Sequence, residues 1–357
     1  QGPDGSWNAA KFSDQCDGKK CVGAGHADNS TGVTGLAVLA FLGTGYTHLS
    51  AHGYLPEPRD PRKRIWMRDV VKKALRWLVA NQDADGCVGP KVAKAMYNHA
   101  IAAAALVEAY GMTEAPYLRG PAQKAIDYLV AARNPGAAWR YTAGSGESDV
   151  SVTSWCVMAL KSAKESGLDV SAATLHETNG WIKSVTNTNN GNVGYMASSE
   201  AGVHVAVPGK NQQYANHEAL GAVGMLTRIL VDTDRSDPVL ALTASCLVQD
   251  LPVWNKTRFT NDYYYWYYAT LALFQYDGPD SGGTGKLWKP WNDAIRQALQ
   301  KNMHLKADGC AEGSWDADDR WGFEGGRVYA VAINALTMEV YQRYPNVFGL
   351  RASKQRR

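Results

Sequence analysis

The apolar positions of this 357-residue chain recur with helical rather than strand periodicity. Six segments are apolar all round and rich in small residues, which predicts helices that are buried on both sides. They read TGLAVLAFLG, NHAIAAAALVEAYG, SVTSWCVMALKSA, EALGAVGMLTRIL, YYWYYATLALFQYDG and RVYAVAINALTMEVYQRY. Leucines in these segments recur on average about every 59 residues. A repeat of that length holds two helices and two connections.

A second kind of segment alternates with the first and is amphipathic. In the stretch IWMRDVVKKALRWLVANQ, Ala74, Leu75 and Leu78 share one face, and Lys72 and Arg76 lie opposite. Such a stripe predicts half-exposed helices that pack on an inner layer. The others are AQKAIDYLVAARN, AATLHETNGWIKSV, DPVLALTASCLVQDL and KPWNDAIRQALQKNM. No series of short alternating segments predicts a sheet.

A turn pattern precedes most of the apolar segments. The pattern begins with a polar residue. A glycine that directly follows Asp, Asn or Pro comes next, and an aromatic residue often follows the glycine. It occurs at Gln1–Trp7, Gln82–Cys87, Asn134–Trp139, Asn190–Tyr195 and Asp308–Trp315. The glycine permits the left-handed backbone that ends a helix, and the aromatic ring can then lie across the helix ends.

This repeat resembles that of the terpenoid cyclases and protein prenyltransferases. Gln1-Gly-Pro-Asp-Gly5-Ser-Trp7 is similar to their Gln-x-x-x-Gly-x-Trp motif, with one residue shifted. The similarity extends over the whole chain and is greatest to bacterial proteins with prenyltransferase/squalene-oxidase repeats. The resemblance implies an all-α (α/α)6 toroid formed by residues 1–357 as one domain. Six inner and five outer helices are predicted, so we expect the first outer helix to precede Gln1 in a longer chain.

The composition limits the possible functions. Of 36 aromatic residues, 12 are Trp, 18 are Tyr and only 6 are Phe, so most rings have a polar atom. A net charge of +3 gives no field that would select nucleic acid. No apolar run reaches the roughly 18–20 residues of a membrane span. The six cysteines are too few for a disulfide scaffold.

The acid motif of the cyclases is incomplete here. Those enzymes protonate their substrate with Asp-x-Asp-Asp at the start of an inner helix, and the equivalent stretch looks like Asp149–Thr153, where two acids are replaced by Ser151 and Val152. Cyclisation chemistry should therefore fail, and squalene should give no product. A literal Asp-x-Asp-Asp occurs at Asp316–Asp319, and we interpret it as a solvated acidic loop.

Metal binding is a weaker alternative, so no cofactor is expected. Prenyltransferases hold Zn²⁺ with an Asp-x-Cys and a His, and Asp85–Cys87 and Asp308–Cys310 match that pattern, with His99 and His217 as further candidates. The periodic turns also explain the pattern.

A local cysteine pair leaves three alternatives. Cys16 and Cys21 precede His26, and they could form a disulfide, a metal knuckle that lacks an evident fourth ligand, or free thiols. A disulfide would indicate an extracytoplasmic protein.

The parallel inner helices should bring their N-termini together at one mouth, where aligned dipoles favour an anion or a carboxylate. The block Tyr263–Tyr268 places Tyr264 and Tyr268 on one face. These rings either fill a wide core or bind a ligand. The candidate ligand-binding residues are His99, Asp149, Trp155, His217, Tyr264, Tyr268 and Arg327.

The sequence favours a non-catalytic, extracytoplasmic binding module for a small apolar ligand, a carbohydrate or a protein partner. The alternative is an enzyme of prenyl-group chemistry or polysaccharide cleavage, in which two acids, or an acid with His or Tyr, would act. Asp149, Glu218 and Asp262 are the acids available at the starts of inner helices. No spacing singles out a pair.

Overall fold

The computed structural model describes most of the chain. The described residues are 1–16, 20–55, 64–136, 138–198, 203–207, 210–214, 218–232, 234–255, 257, 261–279 and 281–342.

The inner layer is a closed ring of helices that are buried almost along their whole length. Each inner helix contacts the next, and the last contacts the first. In the described residues these helices are α1 (Ser30–Gly43), α3 (Ala95–Thr113), α5 (Val150–Glu165), α7 (Glu218–Val231), α9 (Tyr263–Asp277) and α11 (Gly322–Met338). Their lack of a polar face explains this position, since both sides of each helix are covered.

The outer layer consists of amphipathic helices. Within the described ranges these are α2 (Met67–Ala80), α4 (Pro116–Ala131), α6 (Ala172–Ser184), α8 (Pro238–Leu247) and α10 (Trp288–Gln300). In α2, Leu75 and Leu78 are buried, while Lys72 and Arg76 are exposed. The predicted all-α toroid is confirmed. An outer helix before Gln1 stays a prediction.

The glycine turns join neighbouring outer helices. The side chain of Gln82 donates hydrogen bonds to the carbonyl oxygens of Gly86 and of Pro121 in α4. Gln1 donates in the same way to Gly5 and to Val70 of α2. Gly86 has φ +99°, and a Cβ atom there would lie 2.2 Å from the Lys124 carbonyl oxygen. The turn can therefore approach the next outer helix only with glycine at this position.

The tryptophans of two turns have equivalent roles. Trp139 Nε1 donates to the Leu129 carbonyl oxygen at 2.7 Å, and Trp315 Nε1 donates to that of Leu299 at 2.9 Å. Both rings are buried, and both acceptors lie in the last turn of the preceding outer helix. The indoles thus satisfy carbonyl groups that a helix end leaves free.

Two small hairpins were not expected. Strand β1 (Gly53–Tyr54) pairs with β2 (Ile65–Trp66), and β3 (Val203–Val207) pairs antiparallel with β4 (Lys210–Tyr214). The second hairpin extends the connection between α6 and α7. The alternating β-branched residues in VHVAV are the sequence feature that indicates strand β3.

Aromatic side chains fill the inside of the ring. Trp155 of α5 stacks on Tyr267 of α9, with ring centroids 5.9 Å apart and planes 13° apart, and contacts the edge of Tyr268 at 5.7 Å. All three side chains are at most 2 % exposed. Trp155 and Tyr268 therefore belong to the core.

The segment before α1 packs against the start of α11. The Arg327 N–H donates to the Gly23 carbonyl oxygen at 2.7 Å, and the His26 N–H donates to that of Glu324 at 2.8 Å. Gly326 interrupts the helical geometry of α11, and a Cβ atom there would lie 2.5 Å from the Gly25 nitrogen. The segment before α1 and the start of α11 thus meet directly.

Candidate functional site

The N-terminal ends of the inner helices meet at one face of the ring, which we call the mouth. Asp149 caps α5 by accepting the Val152 N–H at 2.9 Å, and Asp262 caps α9 by accepting the Tyr265 N–H at 2.9 Å. Glu218 begins α7. These acids offset the positive ends of three neighbouring helix dipoles.

Four partly exposed tyrosines lie at the mouth, and we call them the tyrosine cluster: Tyr97, Tyr141, Tyr195 and Tyr264. The Tyr97 hydroxyl donates to Ser151 Oγ at 2.5 Å, and Ser151 donates to Asp149 Oδ1 at 2.7 Å. The hydroxyls of Tyr141 and Tyr195 lie 2.6 Å apart. The rings of Tyr97 and Tyr141 stack at 6.0 Å.

Tyr264 connects this cluster to α9 and to the residue before α11. Its hydroxyl lies 3.5 Å from the Ser151 carbonyl oxygen. Its ring lies 4.7 Å from that of Tyr268 and 6.0 Å from that of Trp321, which is also partly exposed. Of the block Tyr263–Tyr268, only Tyr264 has appreciable exposure.

Asp149 lies beneath the cluster and is fully buried. Burial raises the pKa of this carboxyl, although hydrogen bonds from Val152 and Ser151 oppose the shift. Arg140 Nε lies 3.9 Å from Asp149 Oδ2. Arg140 also pairs with Glu147.

A second group of acids surrounds the start of α9. Asp262 Oδ2 lies 3.3 Å from Arg320 Nη1, and its Oδ1 accepts the Trp321 indole N–H at 3.3 Å. Burial raises the pKa of Asp262, and Arg320 opposes this shift. Burial also raises the pKa of Glu218, which is partly exposed and interacts with Asp250, Arg320 and Asp262.

The loop Asp316–Asp319 is not simply a solvated acidic loop. Asp316 contacts His304 and Arg327, whereas Asp319 is fully buried. Burial, followed by the nearby Asp262, raises the pKa of Asp319 well above its ordinary value, and the Tyr329 hydroxyl donates to it at 3.3 Å. The sequence could not show this, because Asp319 pairs with Asn261 and lies near Asp262, which come from a separate part of the chain.

Two other candidate residues, His99 and Arg327, make hydrogen bonds that join parts of the fold. His99 is buried, with Nδ1 accepting the Val88 N–H at 2.9 Å and Nε2 lying 3.0 Å from the Ala125 carbonyl oxygen. Arg327 donates to Val22, Ser314 and Trp315 and pairs with Asp316. His217 lies outside the described residues.

The structure distinguishes between the alternatives for the cysteine pair. All six cysteines are described, and each is a free thiol, so Cys16 and Cys21 form no disulfide. Within the described residues, no metal-ligating group unites Cys87 with His99. A third cysteine, Cys310, lies beside Cys16 and Cys21 instead.

Tyr97, Tyr141, Tyr195 and Trp321 were not among the candidate residues named from the sequence, although they lie partly exposed at the mouth. Tyr195 is the last residue of one glycine turn, and Tyr141 lies two positions beyond Trp139, the last residue of another. Their position in the chain could have predicted this place, because every connection from an outer to an inner helix ends at the mouth.

No family model matches the sequence. No curated protein matches it either. None of the described helices is both long and apolar enough to cross a membrane.

Solved structures do share the fold. An inactive variant of the α-1,6-mannanase GH76A of Salegentibacter sp., in complex with α-1,6-mannotetrose, matches with a TM-score of 0.59 and 9 % identity, over 95 % of this chain and 93 % of that one. A family 76 glycoside hydrolase (mannosidase) of Bacteroides thetaiotaomicron matches with a TM-score of 0.55 and 10 % identity, over 91 % of each chain.

A third structure, described as a novel α-amylase from Clostridium perfringens, matches with a TM-score of 0.54 and 12 % identity, over 87 % of this chain and 86 % of that one. The TM-scores over most of each chain show an α/α toroid fold that is shared with these glycoside hydrolases. They do not support the terpenoid cyclase or prenyltransferase family that the sequence resembles.

Proposed function

We propose that this chain binds carbohydrate at the mouth and cleaves a glycosidic bond there. The observation that carries the proposal is the tyrosine cluster beside carboxyl groups on neighbouring inner helices. Partly exposed rings with polar edges suit sugars, which present both apolar faces and hydroxyls. The fold neighbours support this choice, because their descriptions name mannanase, mannosidase and amylase activities.

Glu218 and Asp262 are the pair best suited to the chemistry. Glycoside hydrolysis uses one protonated carboxyl as acid and one carboxylate as base or nucleophile. Arg320 lies 3.3 Å from Asp262 and favours its charged form. Glu218 is the more exposed of the two, and burial raises its pKa. We assign the more exposed Glu218 as proton donor and Asp262 as the ionised partner that Arg320 holds, although burial raises the pKa of both carboxyls.

The remaining mouth residues have supporting roles in this proposal. Tyr264 and Trp321 would stack on sugar rings beside Asp262, and Tyr97 and Ser151 would position the cluster above Asp149.

The filled ring interior favours a second candidate, the non-catalytic carbohydrate-binding module. Trp155, Tyr267 and Tyr268 leave the mouth, rather than a deep central cavity, as the place for a ligand. Binding without cleavage would identify this candidate.

The experiment combines a polysaccharide binding assay with release of reducing ends, using α-1,6-mannan and α-glucans. We expect Glu218→Gln to lower cleavage by roughly 10²–10⁴-fold while binding persists. Tyr264→Ala should weaken binding. Glu177→Gln, an exposed change on α6, is the control. Absence of binding to every polysaccharide would overturn the proposal.

A further inference from the structure

Three cysteines from opposite ends of the described chain converge on one point. The Sγ atoms of Cys16, Cys21 and Cys310 all lie within 4.8 Å of one another. Cys16 and Cys21 are half-buried, and Cys310 is exposed in the short 3-10 helix Lys306–Ala311. We propose that these three thiols bind one Zn²⁺ ion, with water in the fourth position.

The geometry suits a thiolate metal site. A tetrahedral zinc ion with Zn–S bonds of about 2.3 Å holds its sulfur ligands about 3.8 Å apart. A movement of about 1 Å or less would bring the three sulfur atoms to that spacing. The Cys21 N–H already donates to Cys16 Sγ at 3.5 Å, an arrangement that orients a sulfur ligand and supports its negative charge.

The chemistry of three thiols favours a metal over a disulfide. A disulfide would use two sulfur atoms and leave the third as a free thiol beside it. A zinc ion uses all three: three Zn–S bonds form, three S–H bonds break, and the protons pass to solvent without any redox change. Soft thiolate ligands select Zn²⁺ over hard ions such as Mg²⁺.

The backbone around the cysteines is held in place from both sides. Val22, next to Cys21, accepts a hydrogen bond from Arg327 Nε at 2.9 Å. On the Cys310 side, the His304 N–H donates to the Ser314 carbonyl oxygen at 2.9 Å, and Ser314 Oγ accepts from Arg327. The ion would thus cross-link the segment before α1 to the loop before α11.

The test is metal analysis of the full chain purified under reducing conditions, with Co²⁺ substitution. We expect roughly one equivalent of Zn²⁺ and a sulfur-to-cobalt charge-transfer band in the near ultraviolet. Cys310→Ser and, independently, Cys16→Ser should lower bound metal at least about tenfold. Cys246→Ser, a partly exposed cysteine on α8, should leave it unchanged.

Circular dichroism checks that each variant is folded. Removal of the metal with a chelator should lower the Tm of the wild type but not that of Cys310→Ser. Three results would overturn the proposal: no bound metal, a cobalt band that survives in Cys310→Ser, or a disulfide between two of the three cysteines in metal-treated protein.

Discussion

At the scale of single residues, His99 shows how position in a helix can suggest the wrong role. A histidine at the start of an inner helix looks like a ligand facing the mouth. Its ring instead bridges the Val88 N–H and the Ala125 carbonyl oxygen, in the direction of the outer layer. One nitrogen accepts and the other donates, so the folded state requires the neutral imidazole.

This arrangement predicts a pH dependence of stability. Burial lowers the pKa of His99 from 6.5 to about 4. As the pH falls from about 6.5 to 4, His99 becomes protonated in the unfolded chain but stays neutral in the folded chain. The free energy of unfolding therefore decreases over that pH range. We expect His99 to account for a loss of about 3 kcal/mol in the free energy of unfolding between pH 7 and pH 4.

The matched variant is His99→Gln, whose amide can accept from Val88 and donate to Ala125 without titrating. All other groups titrate in both proteins. The difference between the two proteins in how the free energy of urea unfolding depends on pH therefore gives the contribution of His99. Parallel pH dependences of wild type and variant would contradict the assignment.

At the scale of elements, the connection between two helices is stabilised by a side chain of one helix that binds the backbone at the start of the next. Asp277, the last residue of α9, is buried and accepts the N–H groups of Gly285 at 2.8 Å, Leu287 at 2.8 Å and Trp288 at 3.1 Å. Burial alone would raise its pKa, but these hydrogen bonds lower it. One inner helix thereby caps the following outer helix, α10.

We expect Asp277→Ala to lower the free energy of unfolding by about 2–4 kcal/mol, because three backbone N–H groups lose a charged acceptor. Urea denaturation measures the change. Asp293→Ala, at an exposed position of α10, should have an effect within about 0.5 kcal/mol. Equal effects of the two substitutions would rule out this capping role.

The helices themselves could be predicted from sequence, because periodicity and burial are local properties. The segments around Leu39, Leu106 and Leu160 are apolar all round, and they form buried inner helices. The site could be predicted only in part. Tyr264 belongs to a conspicuous block, but Tyr141 and Tyr195 come from separate connections and meet only in the folded ring.

At the scale of the whole molecule, ring closure depends on contacts between the first and last parts of the described chain. Arg327 is the centre of these contacts, since its guanidinium binds Val22, Ser314, Trp315 and Asp316. The candidate thiolate site lies beside the same junction.

Arg327→Met keeps much of the apolar stem and removes the hydrogen bonds. We expect it to lower the free energy of unfolding by about 2–4 kcal/mol. Hydrogen exchange should accelerate first in residues 22–26 and 314–316. Arg296→Met, exposed on α10, is the control. Unchanged exchange at the junction would show that closure does not depend on Arg327.

The contact between α11 and α1 has a consequence for how such a chain can change in evolution. A linear array of repeats can gain or lose one at either end, provided that a capping repeat remains. A ring offers no such end: removing one helical pair would leave two buried faces without partners, and adding one would force the existing faces apart. We therefore expect variation chiefly in the connections, such as the one that contains the β3–β4 hairpin before α7.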